Sequence, residues 1–311
     1  MRLTCTSDTT NVGSWWYNPT INRLQYSYTG FGAGTWSTGG ALSVSRYSLA
    51  GAGTQNAGLA FGGRSPSIVS CTEEYNGSSW STGGGLSVAR YGLAGAGTQN
   101  AGLAFGGGYD FFTQFSCTEE YNGSSWSAGG ALITARFNLA GAGTQNAGLA
   151  FGGYSYGLQF VSCTEEYNGS SWSSGGSLIT INCGLAGAGE QNAGLAFGGC
   201  SNSGRLSCTE EYNGTSWSAG GALSTARYIL AGAGTQNAGL AFGGGSDSSS
   251  IVSCTEEYNG TSWSAGGSLI NGRAALGGAG TQTAGLAFGG TISGSYTEEY
   301  TKPSSICTCT L

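Results

Sequence analysis

The chain has 311 residues, of which 61 are glycine and only 8% are charged, and its formal net charge is −6. The absence of histidine excludes Ser-His-Asp and Cys-His catalysis, His-ligated zinc or copper, and imidazole pH switching. The single lysine disfavours nucleic-acid binding, and no apolar run is long enough for a transmembrane helix. Eight Trp, 16 Tyr and 12 Phe favour a packed core over low-complexity disorder.

The sequence is an array of repeats spaced roughly 45 residues apart. The segment GAGTQNAGLAFGG, with small variations, begins at Gly51, Gly95, Gly141, Gly187, Gly232 and Gly278. One further step towards the N-terminus reaches the segment 6–18, in which Thr9, Asn11 and Gly13 match places in the next copy. We therefore expect a degenerate first copy and seven repeats in a single domain, 1–311. Their approximate bounds are 1–40, 41–84, 85–130, 131–176, 177–221, 222–267 and 268–311.

Each repeat contains four short segments with the character of β-strands. Strand a ends in LAGAG, strand b is AGLAFGG, strand c is TEEY, and strand d surrounds the following Trp. Asn-Gly between strands c and d predicts a two-residue type I′ hairpin, and Gln-Asn between strands a and b predicts a second tight turn. The glycines are expected where backbones approach closely around a narrow centre. Four such strands per repeat are typical of a propeller blade.

The positions of four residue types that recur from repeat to repeat resemble the kelch repeat. In the second copy these are Gly62-Gly63, Tyr75, Trp80 and Arg90. The resemblance covers nearly the whole chain and implies an all-β fold, a seven-bladed β-propeller of four-stranded kelch-like blades. Six blades plus terminal extensions is the alternative. The C-terminal SSICTCTL is expected to supply strand d of the last blade, which favours closure by whole blades.

A second resemblance is carried by the near-identical TEEYNG and GTQNAGLAFGG segments. They are similar to repeats in structural proteins from phages of aquatic bacteria. This resemblance implies a place in a virion.

Paired glutamates and an arginine recur in the repeats. The glutamate pairs are Glu73-Glu74, Glu119-Glu120, Glu165-Glu166, Glu210-Glu211, Glu256-Glu257 and Glu298-Glu299, and the arginines are Arg46, Arg90, Arg136, Arg227 and Arg273. Carboxylates serve in glycoside hydrolysis and calcium binding, but neighbouring strand residues point to opposite faces and cannot form one catalytic pair. We expect structural ion pairs around the ring, and no catalytic, cofactor-binding or metal-binding residues.

Six tryptophans recur at one repeat position. They are Trp36, Trp80, Trp126, Trp172, Trp217 and Trp263. Regular recurrence predicts packing between blades, with sugar stacking as the alternative.

The ten cysteines fall into three groups. Cys71, Cys117, Cys163, Cys208 and Cys254 share a repeat position and are expected to be small buried residues. Cys183 and Cys200 lie equally far from the turn at Gln191-Asn192, which places them opposite each other as a candidate cross-strand disulfide. Cys5 could form a further bridge with Cys307 or Cys309.

The loops between strands b and c vary from copy to copy and share one face with the d-to-a connections. The third and fourth copies concentrate aromatic residues there, namely Tyr109, Phe111, Phe112, Phe115, Tyr154, Tyr156 and Phe160. Variable loops on a rigid scaffold form binding surfaces, and exposed aromatics anchor contacts. These residues are our candidate binding loops, either for a ligand or receptor or for a subunit interface.

Together these features predict a non-enzymatic structural and binding module, a phage virion protein that serves as capsid decoration, fibre or baseplate component. We expect other virion proteins as partners, with a host-surface glycan or receptor as a further one, and neither nucleic acid nor membrane insertion. No cofactor is expected, and the localisation is the virion or the extracellular space. The alternative is a secreted carbohydrate-binding lectin, which predicts equivalent pockets in every repeat.

Overall fold

In the computed structural model, the described part of the chain comprises residues 2–6, 15–18, 23–31, 33–157, 159–246, 250–291 and 294–310. All regular structure in these ranges is β-strand, and none of them includes a helix long and apolar enough to cross a membrane. Six four-stranded antiparallel sheets form the blades of a closed ring, because each strand a contacts strand a of the next blade and the last contacts the first. The protein is therefore a β-propeller.

Each blade has the strand order a–b–c–d from the axis outwards. In blades 1 to 6, strand a is Ala50–Thr54, Ala94–Thr98, Ala140–Thr144, Ala186–Glu190, Ala231–Thr235 and Gly277–Gly280. Strand b is Ala57–Phe61, Ala101–Phe105, Ala147–Phe151, Ala193–Phe197, Ala238–Phe242 and Ala284–Phe288. Strand c is Thr72–Tyr75, Thr118–Tyr121, Thr164–Tyr167, Thr209–Tyr212, Thr255–Tyr258 and Thr297–Thr301. Strand d is Trp80–Gly83, Trp126–Gly129, Trp172–Ser174, Trp217–Ala219, Trp263–Ala265 and, for blade 6, Thr35–Thr38.

The ring has six blades, so the expected count of seven was wrong and the alternative of six blades plus terminal extensions is correct. The segment Thr35–Thr38, assigned from the sequence to a first blade, pairs instead with Thr297–Thr301 of the last blade. Trp36 lies opposite Tyr300 in that register, as Trp80 lies opposite Tyr75 in blade 1. Closure therefore joins an N-terminal strand to a C-terminal blade, and whole-blade closure by SSICTCTL was also wrong.

The chain termini form a separate four-stranded sheet. Its order is Arg2–Thr6, Ser304–Thr310, Arg23–Phe31 and Trp15–Asn18. The backbone register places Cys5 opposite Cys307. A bridge between Cys5 and Cys307 or Cys309 stays a prediction. Within the proposed degenerate copy, residues 7–14 lie outside the described residues.

The two predicted turns have different outcomes. Gln55-Asn56 joins Thr54 to its partner Ala57, which confirms the tight turn between strands a and b. The two-residue Asn-Gly hairpin was wrong, because Tyr75 pairs with Trp80 and four residues lie between them. Only the glycine of this loop has a positive φ, and Asn76 Oδ1 instead accepts hydrogen bonds from the backbone N–H groups of the two serines that follow. An Asx turn therefore competes successfully with the type I′ geometry.

The glycines of strand a confirm the narrow centre. A Cβ on Gly141 would lie 2.8 Å from the carbonyl oxygen of Gly95 in the preceding blade and 2.6 Å from Phe105 Cζ. The equivalent glycines, Gly51, Gly95, Gly187, Gly232 and Gly278, meet the same two groups at similar distances. A side chain at any of them would force neighbouring blades apart.

Strand b forms the core between blades. Its Leu-Ala-Phe segment is fully buried in nearly every blade, because both faces of this strand are covered by neighbouring blades. The Phe packs against the Trp of the next blade, as Phe61 does with Trp126 at 4.9 Å between ring centroids. The prediction that the tryptophans pack between blades is confirmed.

Three side-chain contacts are repeated at every interface between blades. The Trp indole N–H donates to a Thr hydroxyl of the preceding blade at 2.8–2.9 Å, in the pairs Trp36–Thr255, Trp80–Thr297, Trp126–Thr72, Trp172–Thr118, Trp217–Thr164 and Trp263–Thr209. The Gln amide of the a–b turn donates to two backbone carbonyls of the preceding blade, as Gln99 does to Gly58 and Tyr75. The Tyr of strand c donates to the second Glu of the preceding blade, in the pairs Tyr75–Glu299, Tyr121–Glu74, Tyr167–Glu120, Tyr212–Glu166, Tyr258–Glu211 and Tyr300–Glu257. Each neutral contact contributes about 1 kcal/mol and each tyrosine–glutamate bond about 1.5–3 kcal/mol, and their repetition fixes the geometry of the whole ring.

Candidate functional site

The b–c loops and the d-to-a segments build one face of the propeller together. The loops of blades 1, 3 and 4 are short hairpins, formed by Arg64–Ser65 with Ser67–Ile68, Tyr154–Ser155 with Gln159–Phe160, and Cys200–Ser201 with Gly204–Arg205. In blades 1 to 5 the loop is bridged to the d-to-a segment beside it, in the pairs Tyr47–Arg64, Tyr91–Gly108, Phe137–Tyr154, Cys183–Cys200 and Tyr228–Gly245. This backbone pairing fixes the position of the variable loops on the ring.

An aromatic patch lies on this face, across the loops of blades 2 and 3. We define it as Tyr109, Phe111, Phe112, Tyr154 and Tyr156. All but the half-buried Tyr154 have exposed side chains, with 48% to 69% of their surface accessible. Phe111 packs on Tyr154 with a centroid distance of 4.7 Å, and Phe112 contacts Tyr156 edge to face at 5.5 Å. The contacts make one continuous surface from two loops that are distant in sequence.

Polar contacts fix the shape of the patch. Asp110 Oδ1 accepts hydrogen bonds from the backbone N–H groups of Phe112 at 2.8 Å and Thr113 at 2.6 Å, which lower the pKa of this carboxyl. The backbone N–H of Tyr156 donates to Gln114 Oε1 at 2.7 Å and so links the two loops. The patch is therefore held by hydrogen bonds within and between its loops.

The other two candidate residues support the patch from below. Phe160 is half-buried and packs against Tyr154 at 5.8 Å. Phe115 is half-buried, and its backbone N–H donates to the carbonyl of Gly107 at the base of the loop. The structure thus connects five of the seven predicted aromatics through ring contacts, leaves Tyr109 exposed on the same loop as Phe111, and places Phe115 at the base of that loop.

Residues that the sequence analysis did not select also contribute to this face. Phe137 is buried beneath the patch and contacts both Phe111 and Tyr154. Tyr91 packs on Phe137, and the Arg64 guanidinium lies 6.0 Å from the Tyr91 ring centroid. Burial raises the pKa of the Tyr91 phenol. The shared repeat position of Tyr47, Tyr91, Phe137 and Tyr228, just before strand a, was the signal that could have identified this inner row.

The Arg–Glu pairs lie inside the blades. The guanidinium of each Arg contacts the first Glu of strand c at 2.9–3.1 Å, in the pairs Arg46–Glu73, Arg90–Glu119, Arg136–Glu165, Arg227–Glu256 and Arg273–Glu298. Both partners are almost completely buried, and burial lowers the pKa of Arg46 and Arg273. Glu74 and Glu120 were expected in the same ion pairs but accept hydrogen bonds from tyrosines of the next blade instead.

Four of the five repeated cysteines border these ion pairs, and the fifth, Cys208, lies in blade 4, where Asn182 stands in place of the arginine. The five are free thiols and are half-buried, so they are less buried than expected from the sequence. Arg227 Nη1, for example, lies 2.7 Å from Cys254 Sγ. Burial raises the pKa of the Cys254 thiol and so keeps it neutral beside the ion pair.

Cys183 and Cys200 lie opposite each other, as the repeat geometry predicted. Their backbones exchange two N–H···O hydrogen bonds of 3.0 and 2.8 Å. Their Sγ atoms are 3.3 Å apart and both residues are free thiols. The structure therefore confirms that the two residues face each other, and the disulfide itself stays a prediction.

The central channel is narrowed at this face by a ring of backbone hydrogen bonds. The residue before the last Leu of each d-to-a segment donates its N–H to the carbonyl of its counterpart in the preceding blade, at 2.6–2.9 Å, through Ser48, Gly92, Asn138, Gly184, Ile229 and Ala275. All six have a positive φ, between 46° and 61°. The ring borders a hollow of about 70 Å³ whose lining includes the six leucines that follow these residues.

Comparison of the chain with protein-family models gives no match, and comparison with curated proteins gives none either. The kelch and phage resemblances therefore rest on the sequence motifs alone.

Proposed function

We propose that the protein is a non-enzymatic structural and binding module that docks onto another protein through its aromatic patch. The observation that carries this proposal is the continuous exposed surface formed by Phe111, Phe112 and Tyr156. Covering one such side chain contributes about 1.5–3 kcal/mol, and aromatic side chains are enriched among the residues that dominate interface energies. A patch held rigid before contact loses little conformational entropy on binding.

The virion setting is part of the proposal and comes from the sequence resemblance. In this setting the ring serves as a decoration, fibre or baseplate component, and its b–c loops contact a neighbouring virion protein or a host surface. The b–c loops differ in their content of exposed aromatic residues, which are concentrated in blades 2 and 3. This distribution supports a single contact region.

A carbohydrate ligand is the second candidate. Phe112 and Tyr156 present exposed rings in edge-to-face contact, and sugars stack on flat aromatic surfaces. The clustering of these rings in two blades favours one such site over the six equivalent pockets that a repeated lectin predicts.

The test compares matched apolar surfaces. The Phe112→Ser/Tyr156→Ser variant removes the patch, whereas Ile133→Ser/Ile270→Ser removes two similarly exposed side chains from the d-to-a segments. Purified proteins are mixed with virions that lack this chain, and binding is measured by density-gradient sedimentation, with a glycan array in parallel.

We expect stoichiometric recovery of the wild type and of the isoleucine variant with virions, and loss of recovery for the patch variant. Equal recovery of all three proteins would reject the patch as the docking surface. Absence of wild-type recovery together with patch-dependent binding on the array would replace the virion partner with a glycan.

A further inference from the structure

Blade 4 differs from the other five at the buried ion pair. Asn182 stands at the repeat position of Arg136, so this blade has no guanidinium at the place where the other five have one. The glutamate of this blade, Glu210, keeps its place in strand c and is only 5% exposed. Among the described residues no ion pair involves Glu210, whereas an arginine pairs with the corresponding glutamate in each of the other five blades.

The backbone cradle of the carboxylate is the same with and without the arginine. In blade 4, Glu210 accepts hydrogen bonds from the N–H groups of Ile179 at 2.7 Å and Thr180 at 3.0 Å. In blade 3, Glu165 accepts the equivalent bonds from Ile133 at 2.6 Å and Thr134 at 3.2 Å, and in addition contacts Arg136 Nη1 at 2.9 Å. Blade 4 thus retains every partner of this carboxylate except the cation.

Asn182 does not replace the guanidinium. Its amide nitrogen donates to the carbonyl of Gly198 at 2.6 Å. Its Oδ1 has no hydrogen-bond partner among the described residues, although the residue is only 3% exposed. In blade 3 the arginine also donates to the carbonyl of Ala150 at 3.3 Å. The counterpart Ala196 is 3% exposed where Ala150 is fully buried, as expected if the shorter side chain leaves room beside it.

A hollow of about 400 Å³ opens beside this carboxylate. Glu210, Cys208 and Thr180 line it, and the exposed Ile179 lies at its rim. Its size falls in the usual range for small-ligand sites. Arg205 also lines the hollow, but its guanidinium lies 4.6 Å from the Tyr228 ring centroid.

We propose that this hollow binds a guanidinium group, such as the side chain of an arginine presented by a partner protein. Five copies of the same carboxylate cradle hold a guanidinium in this molecule, and in four of them a cysteine thiol lies beside it, so the carboxylate and thiol of blade 4 are already arranged to receive that group. A buried carboxylate without a cation is unfavourable, and a bound guanidinium restores a charge-assisted, hydrogen-bonded pair. The site is distinct from the aromatic patch and does not depend on the function proposed for that patch.

The experiment is isothermal titration of the full chain with methylguanidinium and with the peptide acetyl-Gly-Arg-Gly-amide, using methylammonium as the control cation. We expect one guanidinium site per chain and much weaker binding of methylammonium, which lacks the planar set of donors. Binding of the peptide assigns the site to a partner's arginine, whereas binding of methylguanidinium alone assigns it to a free small ligand.

Two variants test the location of the site. Asn182→Arg supplies the guanidinium from within the chain and is expected to abolish binding. Glu210→Gln keeps the shape but removes the charge, and it is expected to weaken binding roughly tenfold or more. Binding that persists unchanged in both variants, or the absence of guanidinium binding to the wild type, would overturn the proposal.

A third variant provides a gain-of-function control. Arg136→Asn reproduces the blade 4 arrangement in blade 3 and is expected to raise the stoichiometry from one site to two. Phe112→Ser/Tyr156→Ser is expected to leave guanidinium binding unchanged, which separates this proposal from the docking function. A stoichiometry that stays at one in a folded Arg136→Asn protein would count against the cradle as the recognition element.

Discussion

Tyr75 of blade 1 donates its phenolic hydrogen to Glu299 Oε1 of blade 6 across 2.6 Å. The same bond joins every other pair of neighbouring blades, so the interface that closes the ring resembles the five that precede it. The phenolic oxygen also accepts the backbone N–H of Gly40, in the segment that leads out of the closing strand. Closure is therefore fixed by side chains as well as by strand pairing.

The tyrosine–glutamate ring predicts a loss of stability at alkaline pH. Burial first, and then the hydrogen bond to glutamate, raise the pKa of Tyr75 and Tyr121 from 10.0 to about 12, and three further tyrosines shift alike. The folded state thus favours the neutral phenol, so this stabilisation is complete below pH 10 and is lost as the pH rises towards 12. Urea unfolding followed by Trp fluorescence should show the midpoint falling over this window.

Two variants control for other alkaline effects. Tyr121→Phe removes one interface bond and is expected to lower the free energy of unfolding by about 1.5–3 kcal/mol, the usual contribution of a hydrogen bond to a charged group. Tyr109→Phe changes an exposed phenol and should leave stability unchanged. A wild-type midpoint that is constant from about pH 9 to about pH 12 contradicts the prediction.

The closing strand predicts a large effect of one N-terminal side chain. The Trp36 indole N–H donates to Thr255 Oγ1 at 2.9 Å, and the ring packs against Phe242 and Tyr300. Trp36→Ala is expected to lower the free energy of unfolding by about 3–5 kcal/mol. Chemical denaturation should give a similar loss for Trp80→Ala, its counterpart in blade 1. A near-neutral Trp36→Ala would mean that blade 6 is completed in another way.

The ring of positive-φ residues at the channel predicts an unusual stabilising substitution. Ile229 has φ 46°, a conformation that is costly for a β-branched residue, whereas Asn138 occupies the same place with a side chain that tolerates it. Ile229→Asn is expected to raise the free energy of unfolding by about 1 kcal/mol, and Asn138→Ile to lower it by a similar amount. Urea midpoints measure both changes, and equal destabilisation by the two variants would show that side-chain packing outweighs backbone strain.

The Cys183–Cys200 pair predicts a response to oxidation. Mild oxidation should remove two titratable thiols per chain, and peptide mapping should recover these two residues in one cross-linked fragment. The pair closes a loop across 17 residues of sequence, for which the stabilisation is about 3 kcal/mol. Cys183→Ser should abolish both the cross-link and the rise in melting temperature. Oxidation that instead consumes Cys71 or its repeat equivalents would refute the pairing.

Local sequence patterns predicted much of the fold, because short-range geometry determines them. The four strands of each blade, the Gln-Asn turn and the opposition of Cys183 and Cys200 depend only on distances within one repeat. The blade count depends on a contact between the two ends of the chain. The six Trp positions already matched six copies of strand c, but Trp36 precedes its own strand c by the length of the whole ring. The sequence order of Trp36 and Tyr300 therefore concealed that they belong to one blade.

The candidate site was predictable in its residues but only in part in its arrangement. Variability and aromatic content singled out Phe111, Phe112 and Tyr156. The bond between Tyr156 and Gln114 joins two loops whose conformations are not encoded by a repeat pattern, and so it could not be read from spacing. In the sequence, Asn182 marks the blade that lacks the arginine. The hollow beside Glu210 could be recognised as a guanidinium site only by comparison with the five Arg–Glu pairs in the structure.

The late arrival of the partner of Thr35–Thr38 has a consequence for biosynthesis. This strand is synthesised before all the other strands of the ring, and its partner Thr297–Thr301 is synthesised after all of them. Until then, five nearly identical TEEY edges emerge that could each accept it, and each acceptance would close a smaller, incomplete ring or leave a tail for a second molecule. Small differences among blades, such as TEEYT in place of TEEYN, therefore affect which strand c pairs with Thr35–Thr38 during folding, as well as the stability of the finished ring.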